Sequence, residues 1–205
     1  MAPSLYTPDV RLYTVPAKYR DALELPIPTP SLQPSFRLVC DLEPVRALGE
    51  GLHADGGQFN WINFTGGYIT GSFGTGIILP GGQDSQHVLS ASHPSAPHSA
   101  QLSTRYLIRI DSLPPPHPPS TEPTYVQLST RGWRTGPPEV MARLAAAARE
   151  GFEGKVPEPS EYKFRLCIEM ETDSRGPLAF LNTSMWVGSG VRKGRQVLYD
   201  AYEIL

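Results

Sequence analysis

The chain has 205 residues, with 18 lysines and arginines against 20 aspartates and glutamates and a formal net charge of −2. That length suits one sizeable domain and crowds two. The near-neutral balance, with no local basic cluster or stripe of stacking aromatics, argues against nucleic acid as a partner.

Residues 1–34 carry prolines at Pro3, Pro8, Pro16, Pro26, Pro28, Pro30 and Pro34, which remove backbone donors and break regular structure. The segment reads as a proline-rich arm, not a domain. Its apolar residues, Leu5, Tyr6, Leu12, Tyr13 and Leu25 among them, are too many for a solvated tail, so the arm is expected to lie on the folded domain or on a second subunit, which leaves a homodimer open. The sequence shows no apolar core of signal-peptide length and no run long enough to span a bilayer. A cytoplasmic protein with no membrane partner is expected.

Residues 36–43 form the first strand pattern, with Phe36, Leu38, Cys40 and Leu42 alternating against Arg37, Asp41 and Glu43. A glycine-containing loop leads to a short aromatic-rich strand at 59–64. Next comes GGYITGSFGTGIILPGGQDSQ, residues 66–86, which reads as strand, bend, strand and a turn at Pro80-Gly81-Gly82. Asp84 and Gln86 follow that turn at a strand end, where small barrels keep ligand-facing groups. The glycines also suggest a phosphate cradle, but no Lys-Ser or Lys-Thr pair follows them, and the segment after Asp84 reads as loop instead of helix.

Residues 90–102 read as a loop holding His93 and His98, with no adjacent carboxylate or cysteine to complete a metal set. No metal and no cofactor are expected. Cys40 and Cys167, the two cysteines, are too few for a disulfide framework, although a single bridge between them is left open. A strand at 105–111, a proline-rich hairpin loop at 113–124 and a strand at 125–133 follow. Gly136-Pro137-Pro138-Glu139 then opens a helix predicted over 138–150. Residues 162–172, 184–188 and 196–204 close the chain as strands.

One helix among roughly eight strands predicts an all-β fold, an antiparallel lipocalin-like β-barrel with a central cavity over residues 35–205. A two-sheet sandwich is the alternative.

Four motifs together resemble one family. They are Gly66 to Gln86, the RGWRTGPPEV segment from Arg131, the Y-x-F-R of Tyr162 to Arg165 followed by Glu171-Thr172, and the L-N-x-S-x-W-V-G-x-G segment from Leu181. They are similar to domain-of-unknown-function family 3237, over about residues 35–205. The resemblance implies a barrel with a central cavity and no common reaction. The long Pro/Ser/His loops and the arm resemble fungal-type members, which implies specialised metabolism.

On the strand 162–172, Lys163, Arg165, Cys167, Glu169 and Glu171 share one face. Turned outward they are a solvated surface. Turned inward, Arg165 and Glu171 must be paired or ligand-bound, because isolated buried charges are too costly, and they join Asp84 as candidate catalytic residues. Trp61, Tyr68, Tyr125, Trp133 and Trp186 are candidate aromatic walls of a substrate site, with Gln86 and Asn182 as its polar groups, and each aromatic also suits a core. No Ser-His-Asp order, nucleotide fingerprint or metal cluster is legible.

Two functions of different class fit. The first is a cofactor-independent isomerase, cyclase or dehydratase acting on a hydrophobic polyketide- or terpenoid-like molecule. The second is a non-catalytic carrier for such a molecule. A scaffolding protein using the proline-rich segments is less favoured.

Overall fold

The computed structural model describes residues 5–6, 16–50, 57–89, 98–117, 123–148 and 154–205. Near the start, β1 (Leu5–Tyr6) pairs with β2 (Ile27–Pro28) in a separate two-stranded sheet, with the short α1 (Arg20–Leu23) between them. Residues 16–34 are all exposed, so this part of the arm is not buried against the barrel of its own chain. The chain joins the barrel at Ser31, whose backbone exchanges two hydrogen bonds with that of Leu205.

The main sheet contains β3 (Leu32–Leu42), β4 (Arg46–Glu50), β5 (Gln58–Gly71), β6 (Gly74–Ile78), β7 (Gln83–Leu89), β8 (His98–Ser112), β9 (Thr124–Gly136), β10 (Lys163–Thr172), β11 (Trp186–Lys193) and β12 (Gln196–Ile204). All its pairings are antiparallel, and β3 bonds to β12 on one side and β5 on the other. The sheet therefore closes into an eight-stranded barrel. β6 and β7 both lie between β5 and β8 and form successive halves of one stave, broken at Pro80-Gly81. Gly81 has φ +104° there, a conformation that disfavours a side chain.

Period-two alternation decides what fills the barrel. Leu38, Ile69, Ile108, Leu128, Ile168 and Trp186 make one end of the interior apolar. Toward the other end the inward positions turn polar, with Asn60, Asp84, Gln86, Arg134 and Arg192 all buried. α2 (Pro138–Ala147) covers that polar end. It contacts β8 and β9, and its carboxyl end lies beside Gly194 in the β11–β12 turn, so it crosses the barrel mouth. Val140, Met141, Leu144 and Ala147 supply its buried face, with Pro138 in the first turn. The predicted helix start is met; residues 149 and 150 lie outside the described residues.

Two expectations change. The segment after Asp84, expected as a loop, is β7, and β8 begins at His98 inside the expected loop. β7 escapes pattern recognition because it turns Asp84 and Gln86, not apolar residues, inward. His93 lies outside the described residues. Cys40 is buried and Cys167 exposed, both as free thiols, so no bridge joins them.

Close approach of β5 to β3 depends on Gly67, where a Cβ would stand 2.2 Å from the Val39 carbonyl oxygen and φ is +146°. Gly67→Ala is expected to lower stability by about 2 kcal/mol or more, through backbone strain and a widened strand pair. Urea unfolding checks this; an unchanged midpoint would mean that the seam between β3 and β5 is looser than described.

Candidate functional site

The polar end of the interior is assembled from neighbouring staves. Register places Asp84 of β7 beside Thr104 of β8, and Thr104 beside Thr130 of β9, so the three side chains form one inward row. The two threonine hydroxyls are 2.6 Å apart. Two residues further along the same face, the Gln86 amide donates to Asp84 Oδ2 at 2.5 Å. Arg134, paired with Ala100 in the register, enters one row beyond Gln86.

Three buried polar atoms have no hydrogen-bond partner among the described residues: Asp84 Oδ1, Arg134 Nε and Tyr199 Oη. Arg134 is 7% exposed, and its guanidinium makes no hydrogen bond to a described residue. Arg192 is held differently. Its Nε donates to the Gly194 carbonyl at 3.1 Å, and its backbone N–H donates to the Tyr162 hydroxyl at 3.0 Å. An orphaned polar atom in a barrel core costs roughly 1–3 kcal/mol, and an orphaned charge more. Such a concentration in one place is the mark of a site.

Electrostatics here are set by burial. It pushes the Asp84 carboxyl up to about 6, against the Gln86 amide and the positive charges of Arg134 and Arg192, which favour the carboxylate. Burial, with repulsion from Arg134, brings Arg192 down to about 10 despite Asp84, and burial also lowers Arg134. The Tyr106 and Tyr199 hydroxyls, and the Cys40 thiol on β3, are held protonated by burial. The interior thus holds two guanidiniums against one carboxyl that is neutral for part of the physiological pH range.

Asp84, Arg134, Thr130, Tyr106 and Tyr199 line a central cavity that leaves about 10 Å³ for the centre of a water molecule. This is space for about one water. Gln86 and Thr104 also border it, and the rest of its wall is apolar, including Leu42, Phe64, Phe164 and Leu166. An aromatic ring system does not fit without repacking of these side chains.

Of the ten residues singled out from sequence, the structure brings Asp84 and Gln86 together at this cavity. Arg165 and Glu171 are on the outer face of β10, which corrects their placement as interior catalytic groups. Arg165 donates to Ser189 Oγ at 3.0 Å, and Glu171 accepts from Gln127 at 3.3 Å. The strand turns Phe164, Leu166, Ile168 and Met170 inward, and the charges stay in water because that costs less. Tyr68, Tyr125 and Trp133 are likewise 42–48% exposed on the outside. Trp61 is half-buried on the outer face of β5, bonded to Asn63 at 2.8 Å. Asn182 is structural: its side chain accepts from the Thr172 N–H and donates to the Thr172 carbonyl. Trp186 is inside, but at the apolar end, where its indole donates to Ser35 at 3.2 Å. Trp133 and Arg165 do meet, in an outer cleft of about 420 Å³ shared with Leu32 and Tyr202.

Arg134, Arg192 and the two tyrosines were missed by sequence reasoning, although the signal was present. Arg134 falls in step with Val126, Leu128 and Thr130, and Arg192 with Trp186, Gly188 and Gly190. An arginine on the apolar phase of a strand is inside the barrel.

A closed antiparallel barrel with a polar pocket at its covered end is therefore the class to which this structure belongs. The chain belongs to the family described as a protein of unknown function (DUF3237), whose sequence profile it matches over residues 30–204. No curated protein matches the chain. Solved structures similar to it include a beta-barrel like protein from Acinetobacter baumannii, 31% identical over 87% of this chain and 98% of the other, with a TM-score of 0.65. A conserved protein of unknown function from Rhodopseudomonas palustris is 22% identical over 87% and 100%, with a TM-score of 0.69. An enzyme from Penicillium herquei is 14% identical over 87% and 98%, with a TM-score of 0.53, a likeness of fold. Among the described residues no helix is long and apolar enough to cross a membrane, and no cluster of three or more His, Cys, Asp or Glu suits a metal ion.

The raised Asp84 value makes a signed prediction about stability. Because the folded protein binds this proton more tightly than the unfolded chain, whose value is about 3.9, the contribution is fully present below about pH 4. It is lost as pH rises through about 6. Asp84→Asn does not titrate, so its stability relative to the wild type should climb by about 2 kcal/mol between pH 4 and pH 7. Parallel urea titrations of both proteins check this; a difference independent of pH would show that Asp84 titrates normally.

Proposed function

We propose that the protein is a cofactor-independent enzyme of the isomerase, cyclase or dehydratase type, in which Asp84 moves a proton and Arg134 holds the oxygen on which negative charge develops. The observation that carries this is the pairing of a free carboxyl oxygen with a free guanidinium across one buried cavity. In the carboxylate form, Asp84 Oδ1 takes a proton from a carbon next to a carbonyl. The C–H electron pair moves into the C–C bond, and the carbonyl oxygen becomes an enolate oxygen facing Arg134. Where the enolate is conjugated with a C=C bond, returning the proton to the far carbon shifts that double bond and gives isomerisation; attack by the enolate carbon on a second carbonyl carbon of the same molecule, whose C=O electron pair moves to oxygen and takes the proton from Asp84, gives cyclisation. A pKa of about 6 suits a base that must both take and return a proton near neutral pH.

Aliphatic and aromatic side chains form the rest of the wall, which favours a substrate with a hydrocarbon body beside its carbonyl group, polyketide- or terpenoid-like in character. The likeness of fold to a protein called an enzyme supports catalysis only at that coarse level. The outer cleft at Trp133 is not preferred, because its polar groups meet solvent and none is stranded. Binding such a molecule requires the lining side chains to repack, since pockets for drug-sized ligands run to about 300 Å³ or more. A carrier would use the same guanidinium without the proton transfer.

Proton exchange separates the two readings. Pentane-2,4-dione carries the 1,3-diketone unit of polyketide-like chains, and its exchange of C–H for C–D in heavy water is followed by NMR. Wild-type protein should accelerate this exchange, and Asp84→Asn should lose on the order of a hundredfold while remaining folded. Equal rates in the two proteins would remove Asp84 from any catalytic role and leave the carrier.

A further inference from the structure

We propose that the barrel interior recognises a carboxylate, so that the molecule it takes is a keto acid with its anionic group held by Arg134 and favoured by the nearby charge of Arg192. This rests on the interior being the functional site and names the chemistry of its ligand. Arg134 is the central observation. A guanidinium offers five N–H donors in a planar fork that matches a carboxylate, yet this one is buried and gives no hydrogen bond to a described residue. A structural arginine in a core would be expected to be bonded to carbonyls or a carboxylate, as Arg192 is bonded to Gly194.

Asp84 is not that partner. Its carboxyl is engaged through Oδ2 with Gln86, and neither guanidinium is in ion-pair contact with it. Two cations facing one carboxyl leave a surplus of positive charge, which an anionic ligand would neutralise. The Tyr199 hydroxyl lies beside that of Tyr106 in the wall of the same cavity, and the Thr104–Thr130 hydroxyl pair borders it. A cavity of one-water size needs less repacking to take the head of a small anion than to take a bulky group.

Asp84 also sets the pH dependence. Facing it are Gln86 beside it on β7, Asn60 on β5, Thr104 and Tyr106 on β8, Arg134 on β9, Arg192 on β11, Tyr199 on β12 and Cys40 on β3, with Tyr162 near the arginines. Burial keeps the Tyr106 and Tyr199 hydroxyls and the Cys40 thiol protonated, so Asp84 is the member that changes charge near neutral pH. Ionised Asp84 competes with the ligand anion for the guanidiniums. Affinity for the anion should fall as pH rises through about 6.

The test is thermal melting of the full chain in sodium formate, the smallest carboxylate, against sodium gluconate at equal ionic strength and formamide as the neutral isostere. Formate should raise the melting temperature of the wild type by about 2–4 °C in a saturable way, more at pH 5 than at pH 8. Formamide and gluconate should not. Arg134→Met, of similar length and uncharged, should melt at or above the wild type without formate and should not respond to it. A wild-type response to formate no larger than to gluconate overturns the proposal. So does an Arg134→Met protein that melts several degrees lower and still responds, because Arg134 is then a structural partner of Asp84. If the methionine variant does not fold, Arg134→Lys keeps the charge but loses the fork, and its formate affinity should drop at least threefold; undiminished affinity overturns the proposal. Loss of diketone exchange with formate binding intact would sink the enzyme reading alone, and the reverse result would sink this inference alone.

Discussion

Closure of the sheet is the constraint on which the rest depends. Once β3 is hydrogen-bonded to β12 on one side and β5 on the other, the eight staves form a ring, and half of every stave faces an enclosed interior. Each inward residue then either packs, finds a polar partner inside or is left stranded. Leu38, Ile69, Ile108 and Trp186 meet the first demand at one end. Asp84, Gln86, Arg134 and Arg192 meet the second only in part at the other.

That partial satisfaction links structure to chemistry. A fully bonded polar core would be stabilising and inert, and a fully apolar one more stable still. The chain instead holds a carboxyl pushed up to about 6 by burial beside a guanidinium with nothing to bond, under a helix that covers the barrel mouth. Local stability is given up where charge can be moved or received. α2 contributes by keeping this pocket out of bulk solvent, where water would satisfy the same groups and return Asp84 to its ordinary value.

Much of the architecture was legible because apolar alternation marks most staves. Phe36 to Leu42, Tyr106 to Ile110 and Phe164 to Met170 show a clean period of two, and Gly136-Pro137-Pro138 announces the helix. β7 was hidden for a physical reason: its buried face is Asp84 and Gln86, so it lacks the apolar beat by which strands are recognised. The same polarity hid the site. Asp84 and Gln86 were found from their place after a turn, whereas Arg134 and Arg192 were passed over in favour of Arg165 and Glu171, which sit on the water-facing phase of β10. Phase relative to neighbouring apolar residues separates the buried arginine from the exposed one, and composition does not. Aromatics misled for a related reason. Tyr68, Tyr125 and Trp133 have strong strand preference, and they decorate the outside of the barrel instead of lining it.

The central claim is that Asp84 is a buried carboxyl poised between its neutral and charged forms near an unsatisfied arginine, Arg134. Carbon-13 NMR of the side-chain carboxyls, with Asp84 assigned by its absence in Asp84→Asn, measures this directly. The account predicts a titration midpoint near 6 that moves higher in Arg134→Met, where a favourable charge is removed. A midpoint at or below 4, unmoved by that substitution, would contradict it.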